Sequence, residues 1–158
     1  MKLIAKPHFA RLWMIIFFTG LSMVSNAASS VAAKIGDNFG GGVVYYVDGS
    51  GQHGLIASKT DLRGHSYGKD EGLFTWNDAK TGCNKLVSNG YRDWFLPNLW
   101  QLNQLYRNRV AVGGFAASFY WSSSESTAGD AWLQYFRNGG KYQYNEADAN
   151  RVRAVRTF

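Results

Sequence analysis

The stretch Gly90-Tyr-Arg-Asp-Trp-Phe-Leu-Pro97 lies between two helical patterns and decides how the chain is divided. Before it, Thr75 is positioned to cap a helix that carries an acidic residue, Asp78, in its first turn. Along this helix, apolar residues recur at helical spacing, which predicts one buried face. They are Trp76, Ala79, Cys83, Leu86 and Val87. Because Asn89-Gly90 ends the pattern, we predict a first helix that packs Cys83 into the core.

A second helix is predicted directly after the stretch. Pro97-Asn98 opens it, and Gln101 lies three residues after the potential Asn98 cap, as in a capping box. Its apolar stripe consists of Leu99, Leu102, Leu105 and Tyr106. We expect this helix to end near Asn108.

Upstream of both helices the chain has the pattern of a β-hairpin. Val43 to Val47 is β-branched and aromatic, residues 48–52 have the composition of a turn, and His53 to Ser58 is a second apolar run. Between Thr60 and Leu73 the sequence is polar and glycine-rich without periodicity, which is typical of a long surface loop.

The region after residue 118 has short strand-like runs separated by Ser, Gly, Asn and Asp. The runs are Phe119 to Ser122, Ala131 to Phe136, Lys141 to Tyr144 and Val152 to Phe158. A hairpin, two helices and a meander of strands predict an α+β domain in which both helices pack against antiparallel sheet. We expect the C-terminal strand to return to the N-terminal hairpin and pair with it.

The N-terminus has the three parts of a signal peptide: basic residues, an apolar run over residues 12–24, and the small-residue cleavage site Ser25-Asn26-Ala27. The basic residues are Lys2, Lys6 and Arg11. Thirteen mainly apolar residues span about 20 Å as a helix, short of the ~30 Å hydrocarbon core of a membrane. We therefore predict a cleaved signal peptide, a secreted or periplasmic location and no membrane span after cleavage. The predicted domain organisation is a signal peptide over 1–27, a flexible lead-in over 28–34 and one domain over 35–158.

The charge pattern argues against a nucleic-acid partner. The chain has 17 basic and 11 acidic residues, and three of the basic ones lie in the leader, which leaves 14 against 11 and a net charge of +3. A nucleic-acid-binding domain concentrates Lys and Arg on one face, whereas here they are scattered until Arg151, Arg153 and Arg156. Sulfated or otherwise acidic polymers remain candidate partners.

Neither a catalytic centre nor a metal site is predicted from the residue types. Cys83 is the only cysteine, so an intramolecular disulfide cannot form. His53 and His65 are the only histidines after the leader, and a lone histidine beside glycines is more often a polar turn residue than a ligand or a base. The acidic residues stand singly apart from Asp70-Glu71, whereas calcium needs about six to eight oxygen ligands. We expect no catalytic residue, no metal and no cofactor.

Six stretches together resemble a known family. They are GGGVVYYVDGSGQHGLIAS, TWNDAKTGCNKL, GYRDWFLPNLWQLNQLY, FYWSSSES, AWLQYF and RVRAVR. In this order they are similar to the Lcl C-terminal domain family, a bacterial C-type-lectin-like family named after the C-terminal domain of a collagen-like adhesin. The pattern Gly-Tyr-x-Asp-Trp-x-Leu-Pro is the most specific part, and Phe95 departs from the family, which commonly has arginine at that place. The resemblance implies a C-type-lectin-like fold.

The resemblance also implies a binding role. In the adhesin this domain is implicated in binding sulfated glycosaminoglycans and in trimer assembly. The collagen-like repeats of the adhesin are not found in this sequence, so we expect any homo-oligomer, such as a trimer, to form through the domain itself. Trp76-Asn77-Asp78 looks like the calcium-binding triplet of animal C-type lectins, but it begins the first predicted helix rather than lying on a late strand. We therefore do not assign calcium to it.

The candidate ligand-binding residues lie in the last quarter of the chain. Aromatic faces stack on sugar rings, and the planar fork of arginine matches sulfate and carboxylate groups. Strand alternation puts Arg151 and Arg153 on the side opposite Val152, which predicts an exposed basic pair. The candidates are Arg137, Lys141, Tyr142, Tyr144, Arg151 and Arg153. A charged face that only contacts solvent explains the same pattern equally well.

These observations predict a non-enzymatic, secreted or periplasmic binding module that recognises anionic, sulfated polysaccharide or acts in adhesion. The alternatives are a protein-binding display domain, with variation in loops such as 122–150, and a structural cell-envelope protein. The expected partner is accordingly an anionic glycan or an extracellular protein.

Overall fold

In the computed structural model, which describes residues 32–64 and 72–158, the chain forms nine strands and three helices. The strands are β1 (Asn38–Phe39), β2 (Gly42–Val47), β3 (Gly54–Ala57), β4 (Leu73–Phe74), β5 (Phe119–Thr127), β6 (Asp130–Tyr135), β7 (Lys141–Asn145), β8 (Asn150–Arg151) and β9 (Val155–Thr157). The helices are α1 (Trp76–Lys85), α2 (Leu99–Arg107) and α3 (Arg109–Val112). The predicted signal peptide, residues 28–31 of the lead-in and residues 65–71 of the predicted surface loop lie outside the described residues.

The first sheet has the strand order β1-β2-β3-β9, and all its pairs are antiparallel. Its β2–β3 pair is the predicted hairpin, which is confirmed. The return of the C-terminal strand is also confirmed, because β9 pairs with β3 from Leu55 opposite Thr157 to Ala57 opposite Val155. Val44 and Ile56 have no exposed surface, so this sheet contributes directly to the core.

The second sheet has the order β4-β8-β5-β6-β7. Its β5-β6-β7 portion is the predicted antiparallel meander. One pair differs from the prediction, since β8 runs parallel to β5, with Tyr120 opposite Arg151. Of the run Val152 to Phe158, predicted as one strand, only Val155–Thr157 is a strand, and it belongs to the first sheet. The residues just before the run, Asn150–Arg151, form a separate strand of the second sheet. The mixed α+β class is confirmed.

Helix α1 begins as predicted, with the Asp78 N–H donating to the Thr75 hydroxyl at 3.4 Å. Cys83 has no exposed surface, which confirms it as a core residue. The helix ends earlier than predicted because Leu86 is extended, and its N–H donates to the Cys83 carbonyl at 3.0 Å. Val87 therefore leaves the helical face and is 56% exposed, so its prediction as an apolar face residue is wrong.

Helix α2 has the predicted capping box. The Gln101 N–H donates to the Asn98 side chain at 2.9 Å, and the Asn98 N–H donates back to the Gln101 side chain at 2.8 Å. Leu102 and Leu105, from the predicted stripe, are fully buried. The short helix α3 follows at Arg109 and was not predicted, because its four residues carry too little periodicity to be recognised.

The stretch Gly90 to Pro97 connects the two sheets. Phe95 pairs with Val155 of β9 through two backbone hydrogen bonds of 2.8 and 2.9 Å. Two residues further on, the Pro97 carbonyl accepts from the Ser123 N–H of β5 at 2.8 Å. Trp94 is only 1% exposed and packs in the core cluster that both sheets share. The stretch thus holds β9 and β5 in fixed relation through its backbone and its buried aromatic ring.

No helix within the described residues is long and apolar enough to cross a membrane.

Candidate functional site

Arg153 is fully buried, so the predicted exposed pair of Arg151 and Arg153 is wrong. The cause is the crossing of the chain from β8 in the second sheet to β9 in the first. Val152 and Ala154 on either side of Arg153 are also fully buried. Strand alternation separates a buried from an exposed side only while one face of the strand meets solvent. Between the two sheets both sides are covered, and the alternation does not apply.

The buried guanidinium of Arg153 joins two separate loops. It contacts the Asp61 carboxylate through Nη2 at 2.7 Å and Nε at 2.8 Å. It also donates to the Ser58 carbonyl at 3.0 Å and to the Gly114 carbonyl at 2.6 Å. Its carbon Cζ lies 4.0 Å from the centroid of the Phe115 ring. Arg153 therefore fixes the backbone of residues 58–61 against residues 113–115.

Asp61 is shared among three donors. Arg153 contacts Oδ1 of Asp61, whereas Oδ2 accepts a hydrogen bond of 2.8 Å from the Tyr120 hydroxyl and lies 3.5 Å from Arg151 Nη1. The Tyr120 hydroxyl in turn accepts from the Ala116 N–H at 2.9 Å. Burial, together with the negative charge of Asp61, raises the pKa of Tyr120 and keeps this hydroxyl protonated. The negative charge of Asp61 is thus engaged by three side chains of the domain.

A surface cleft of about 320 Å³ opens beside this network. It is lined by Lys59, Thr60, Asp61, Leu62, Arg63, Gly72, Gly114 and Arg151. Lys59 and Arg63 are exposed, and the side chain of Arg151 is 33% exposed. Among these lining residues Asp61 is the only carboxylate, and its charge is balanced by Arg153. We call this the basic cleft, since the accessible side chains of its described lining carry an excess of positive charge.

Arg137 lies in a second depression, which we call the arginine groove. Its volume is about 350 Å³, and it is lined by Arg109, Val110, Gly113, Gly114, Phe115, Ala116, Ala117, Phe136 and Arg137. Arg109 is held in place by a 2.8 Å hydrogen bond to the Tyr106 carbonyl, and its guanidinium lies 4.0 Å from the Tyr106 ring centroid. Within the described part of the chain, neither Arg109 nor Arg137 forms a salt bridge.

Lys141, Tyr142 and Tyr144 lie elsewhere, on the edge strand β7, whose five residues are all exposed. Tyr142 is 42% and Tyr144 38% exposed. Both rings contact Phe119 of β5, with centroid distances of 5.9 and 5.4 Å. Phe119 also stacks on Tyr135 at 4.5 Å. This aromatic surface is one sheet face, and strand alternation puts Lys141 on the opposite face.

The six predicted site residues therefore do not form one site. Arg151 lies in the basic cleft, Arg137 in the arginine groove, three residues on β7, and Arg153 in the core. Sequence analysis missed the cations that accompany them, namely Lys59, Arg63 and Arg109. Lys59 and Arg63 stand in a stretch without periodicity, and their convergence with Arg151 depends on a contact between Asp61 and residues about ninety positions later. Sequence periodicity carries no signal for such a contact.

The residues considered for metal or catalytic chemistry have local roles. His53 is exposed in the hairpin turn, and its Nδ1 lies 3.5 Å from Asp48. A side-chain hydrogen bond from Ser50 lowers the pKa of Asp48. Trp76-Asn77-Asp78 begins α1, as predicted. In residues 32–64 and 72–158 no three His, Cys, Asp or Glu side chains lie close enough together to hold a metal ion. His65 lies outside the described residues.

The two sheets and the capped helices define an α+β domain. Its described surface includes the basic cleft and the arginine groove. Residues 52–156 match the family model of the Lcl C-terminal domain, and the chain belongs to that family. The matched range extends from the hairpin turn to β9 and includes all residues of the basic cleft and of the arginine groove. The resemblance inferred from the six sequence stretches is thereby confirmed. A comparison with curated proteins gave no match.

Proposed function

We propose that this protein is an exported, non-enzymatic binding module that recognises an anionic, sulfated polysaccharide through the basic cleft. The observation that carries the proposal is the charge of the cleft: Lys59, Arg63 and Arg151 surround a carboxylate that Arg153 already neutralises. Lys59 and Arg63 are exposed, and Arg151, whose Nη1 lies 3.5 Å from Asp61, is 33% exposed, so anionic groups from outside can reach all three. The planar donor fork of arginine can bind two oxygens of one sulfate or carboxylate group.

Membership of the Lcl C-terminal domain family supports the same class of function. A role in adhesion, a C-type-lectin-like arrangement of the two sheets and export through the leader over residues 1–27 are parts of the proposal. The predicted absence of catalysis is also part of the proposal.

Energetics favour a polymeric ligand over a single sugar. An exposed ion pair contributes about 0.2–1 kcal/mol, so three such contacts supply at most about 3 kcal/mol. A dissociation constant of 1 μM needs about 8 kcal/mol. A chain that presents many anionic groups closes this gap by repeated contacts along its length, and its binding should weaken with salt because exposed charges are screened.

The proposal is tested by heparin-affinity chromatography and calorimetry with the double variant Lys59→Gln, Arg63→Gln. Both side chains are exposed, so the variant removes two cleft charges without disturbing the Asp61–Arg153 network. We expect elution at clearly lower salt. The matched control is Lys85→Gln, Arg92→Gln, which removes two exposed charges outside the cleft. Equal losses in both double variants would mean that only net charge matters, and absence of binding by the unmodified protein would refute the proposal.

A protein partner is the second candidate function, and the aromatic surface of β7 favours it. Tyr142 and Tyr144 are exposed on an edge strand beside Phe119 and Tyr135. Tyrosine is enriched in protein interfaces, and edge strands accept further strands. In this case Tyr142→Ser, Tyr144→Ser should abolish capture of an extracellular protein by the purified chain, whereas Lys59→Gln, Arg63→Gln should leave the capture unchanged.

A further inference from the structure

One loop separates the basic cleft from the arginine groove. Gly114 lines both depressions, and its neighbour Gly113 lines the arginine groove. Both glycines have positive φ, 75° and 71°, a conformation that side-chain-bearing residues rarely adopt. A Cβ atom added at Gly113 would meet no other atom within 4 Å, so the space above this position is open. A Cβ atom added at Gly114 would lie 3.3 Å from the Lys59 carbonyl oxygen. The partition between the two depressions therefore carries no side chain and is open above Gly113.

The partition is also rigid. Arg153 donates to the carbonyls of Gly113 and Gly114 at 3.4 and 2.6 Å from below. The adjoining Phe115 ring packs on the guanidinium of Arg153 and, at a centroid distance of 4.8 Å, on Phe136. The two carbonyl oxygens thus point toward the buried arginine and away from the surface. At the surface, such acceptor oxygens would repel an anion. A polyanion that crosses the partition therefore meets glycine backbone whose carbonyl oxygens already accept hydrogen bonds from Arg153.

Positive charge continues on the far side of the partition. Arg109 and Arg137 line the groove, and the groove's described lining contains no carboxylate. With the three cations of the basic cleft, five basic side chains flank two glycines, and Asp61 is the only carboxylate among the described residues of both linings. Neither depression alone is large, since about 320–350 Å³ is at the lower end of the volumes that hold a small ligand.

We infer that the two depressions form one continuous track for a single extended anionic chain, with Arg109 and Arg137 as a second subsite reached across Gly113–Gly114. This inference rests on the proposed function and adds to it the form of the ligand: an oligomer that spans both depressions, rather than a mono- or disaccharide that occupies the basic cleft alone. The guanidinium of Arg109 is oriented in advance by Tyr106, which reduces the entropy lost when it binds.

The test is calorimetry with size-fractionated heparin oligosaccharides, a disaccharide and a long oligosaccharide, on the full chain. The double variant Arg109→Gln, Arg137→Gln should weaken binding of the long oligosaccharide by about tenfold, the loss expected when two exposed ion pairs are removed. Its binding of the disaccharide should be unchanged. Arg137→Gln alone should weaken binding of the long oligosaccharide by about threefold, and it is the safer variant because the Arg137 side chain is exposed. Lys85→Gln, Arg92→Gln is again the charge-matched control.

The outcomes separate the inference from the proposed function. If Lys59→Gln, Arg63→Gln lowers binding of both lengths while the groove variants bind the long oligosaccharide like the unmodified protein, the track is refuted and the basic cleft stands. If the unmodified protein binds neither length, the proposed function fails and the inference fails with it. A length-dependent loss in the groove variants, absent in the control, establishes the second subsite.

Discussion

Removal of the Asp61 carboxylate is the sharpest test of the network beneath the clefts. Asp61→Ala leaves the guanidinium of Arg153, which has no exposed surface, without its only anionic partner among the described residues. Removing one member of a buried ion pair costs about 3–5 kcal/mol, because the remaining charge is neither paired nor hydrated. We expect the lower end of that range, about 3 kcal/mol. The Asp61 side chain is 15% exposed, so water reaches the vacated position, and Arg153 keeps its carbonyl acceptors.

The assay is equilibrium unfolding in urea, with a thermal melt as a second measure. For a domain of this size, a loss of about 3 kcal/mol lowers Tm by about 12 °C. Asp93→Ala is the matched control, since it also removes a carboxylate that pairs with an arginine, Arg156, at 2.8 Å. Asp93 is 55% exposed, and such a pair contributes at most about 1 kcal/mol.

A double-mutant cycle identifies the interaction responsible. Arg153→Met removes the buried charge and leaves Asp61 with its Tyr120 and Arg151 partners. If the two residues act as a pair, Asp61→Ala combined with Arg153→Met should cost about 2 kcal/mol less than the sum of the single changes. Costs that simply add, or an Asp61→Ala effect no larger than that of Asp93→Ala, would refute the argument that Arg153 and Asp61 jointly hold the two loops.

Three further predictions concern single sites. Burial raises the pKa of the Cys83 thiol to about 12, whereas an unfolded thiol ionises near pH ~8.5. The stability that this gives is therefore complete below about pH 8.5 and is lost as pH rises toward 12, and Cys83→Ala should flatten this fall in urea unfolding at alkaline pH. Asn98→Ala should cost about 1 kcal/mol in a thermal melt by removing the hydrogen bond from the Gln101 N–H, and a smaller loss than for an exposed alanine substitution elsewhere would contradict the cap. Hydrogen bonds from Arg156 lower the pKa of Asp93, so Arg156→Gln should raise it toward its ordinary value in an NMR titration, and an unchanged pKa would exclude the pair in solution.

The parts of the fold that local patterns encode were predictable. The hairpin, the capping box at Asn98 and the apolar stripe of α2 depend on neighbours within a few residues, and all are present. The end of α1 was less accessible, because Leu86 and Val87 continue the apolar spacing while the backbone has already become extended at Leu86. Apolar spacing predicts which face of a helix is buried, but not where the hydrogen bonds stop.

The site was harder to predict because it depends on the crossing between sheets. The sequence around Arg151 and Arg153 alternates as in an exposed strand, yet only Arg151 keeps contact with solvent. Whether one face of a strand is exposed to solvent depends on which distant parts of the chain pack on it. The aromatic candidates Tyr142 and Tyr144 are exposed, as a ligand-binding role requires.

The buried position of Arg153 is what gives the basic cleft its charge. Had Arg153 been exposed beside Arg151, Asp61 would have faced solvent with two surface cations and would have competed with any anionic ligand for them. Because Arg153 is fixed inside, at 2.7 Å from Asp61, it neutralises this carboxylate from below. Lys59 and Arg63 are then exposed above a balanced pair, and Arg151 lies farther from Asp61, at 3.5 Å. The same arginine that stabilises the two loops therefore also balances the Asp61 carboxylate from inside the protein. If the proposed function holds, a change that weakens the pair should lower stability and anion affinity together.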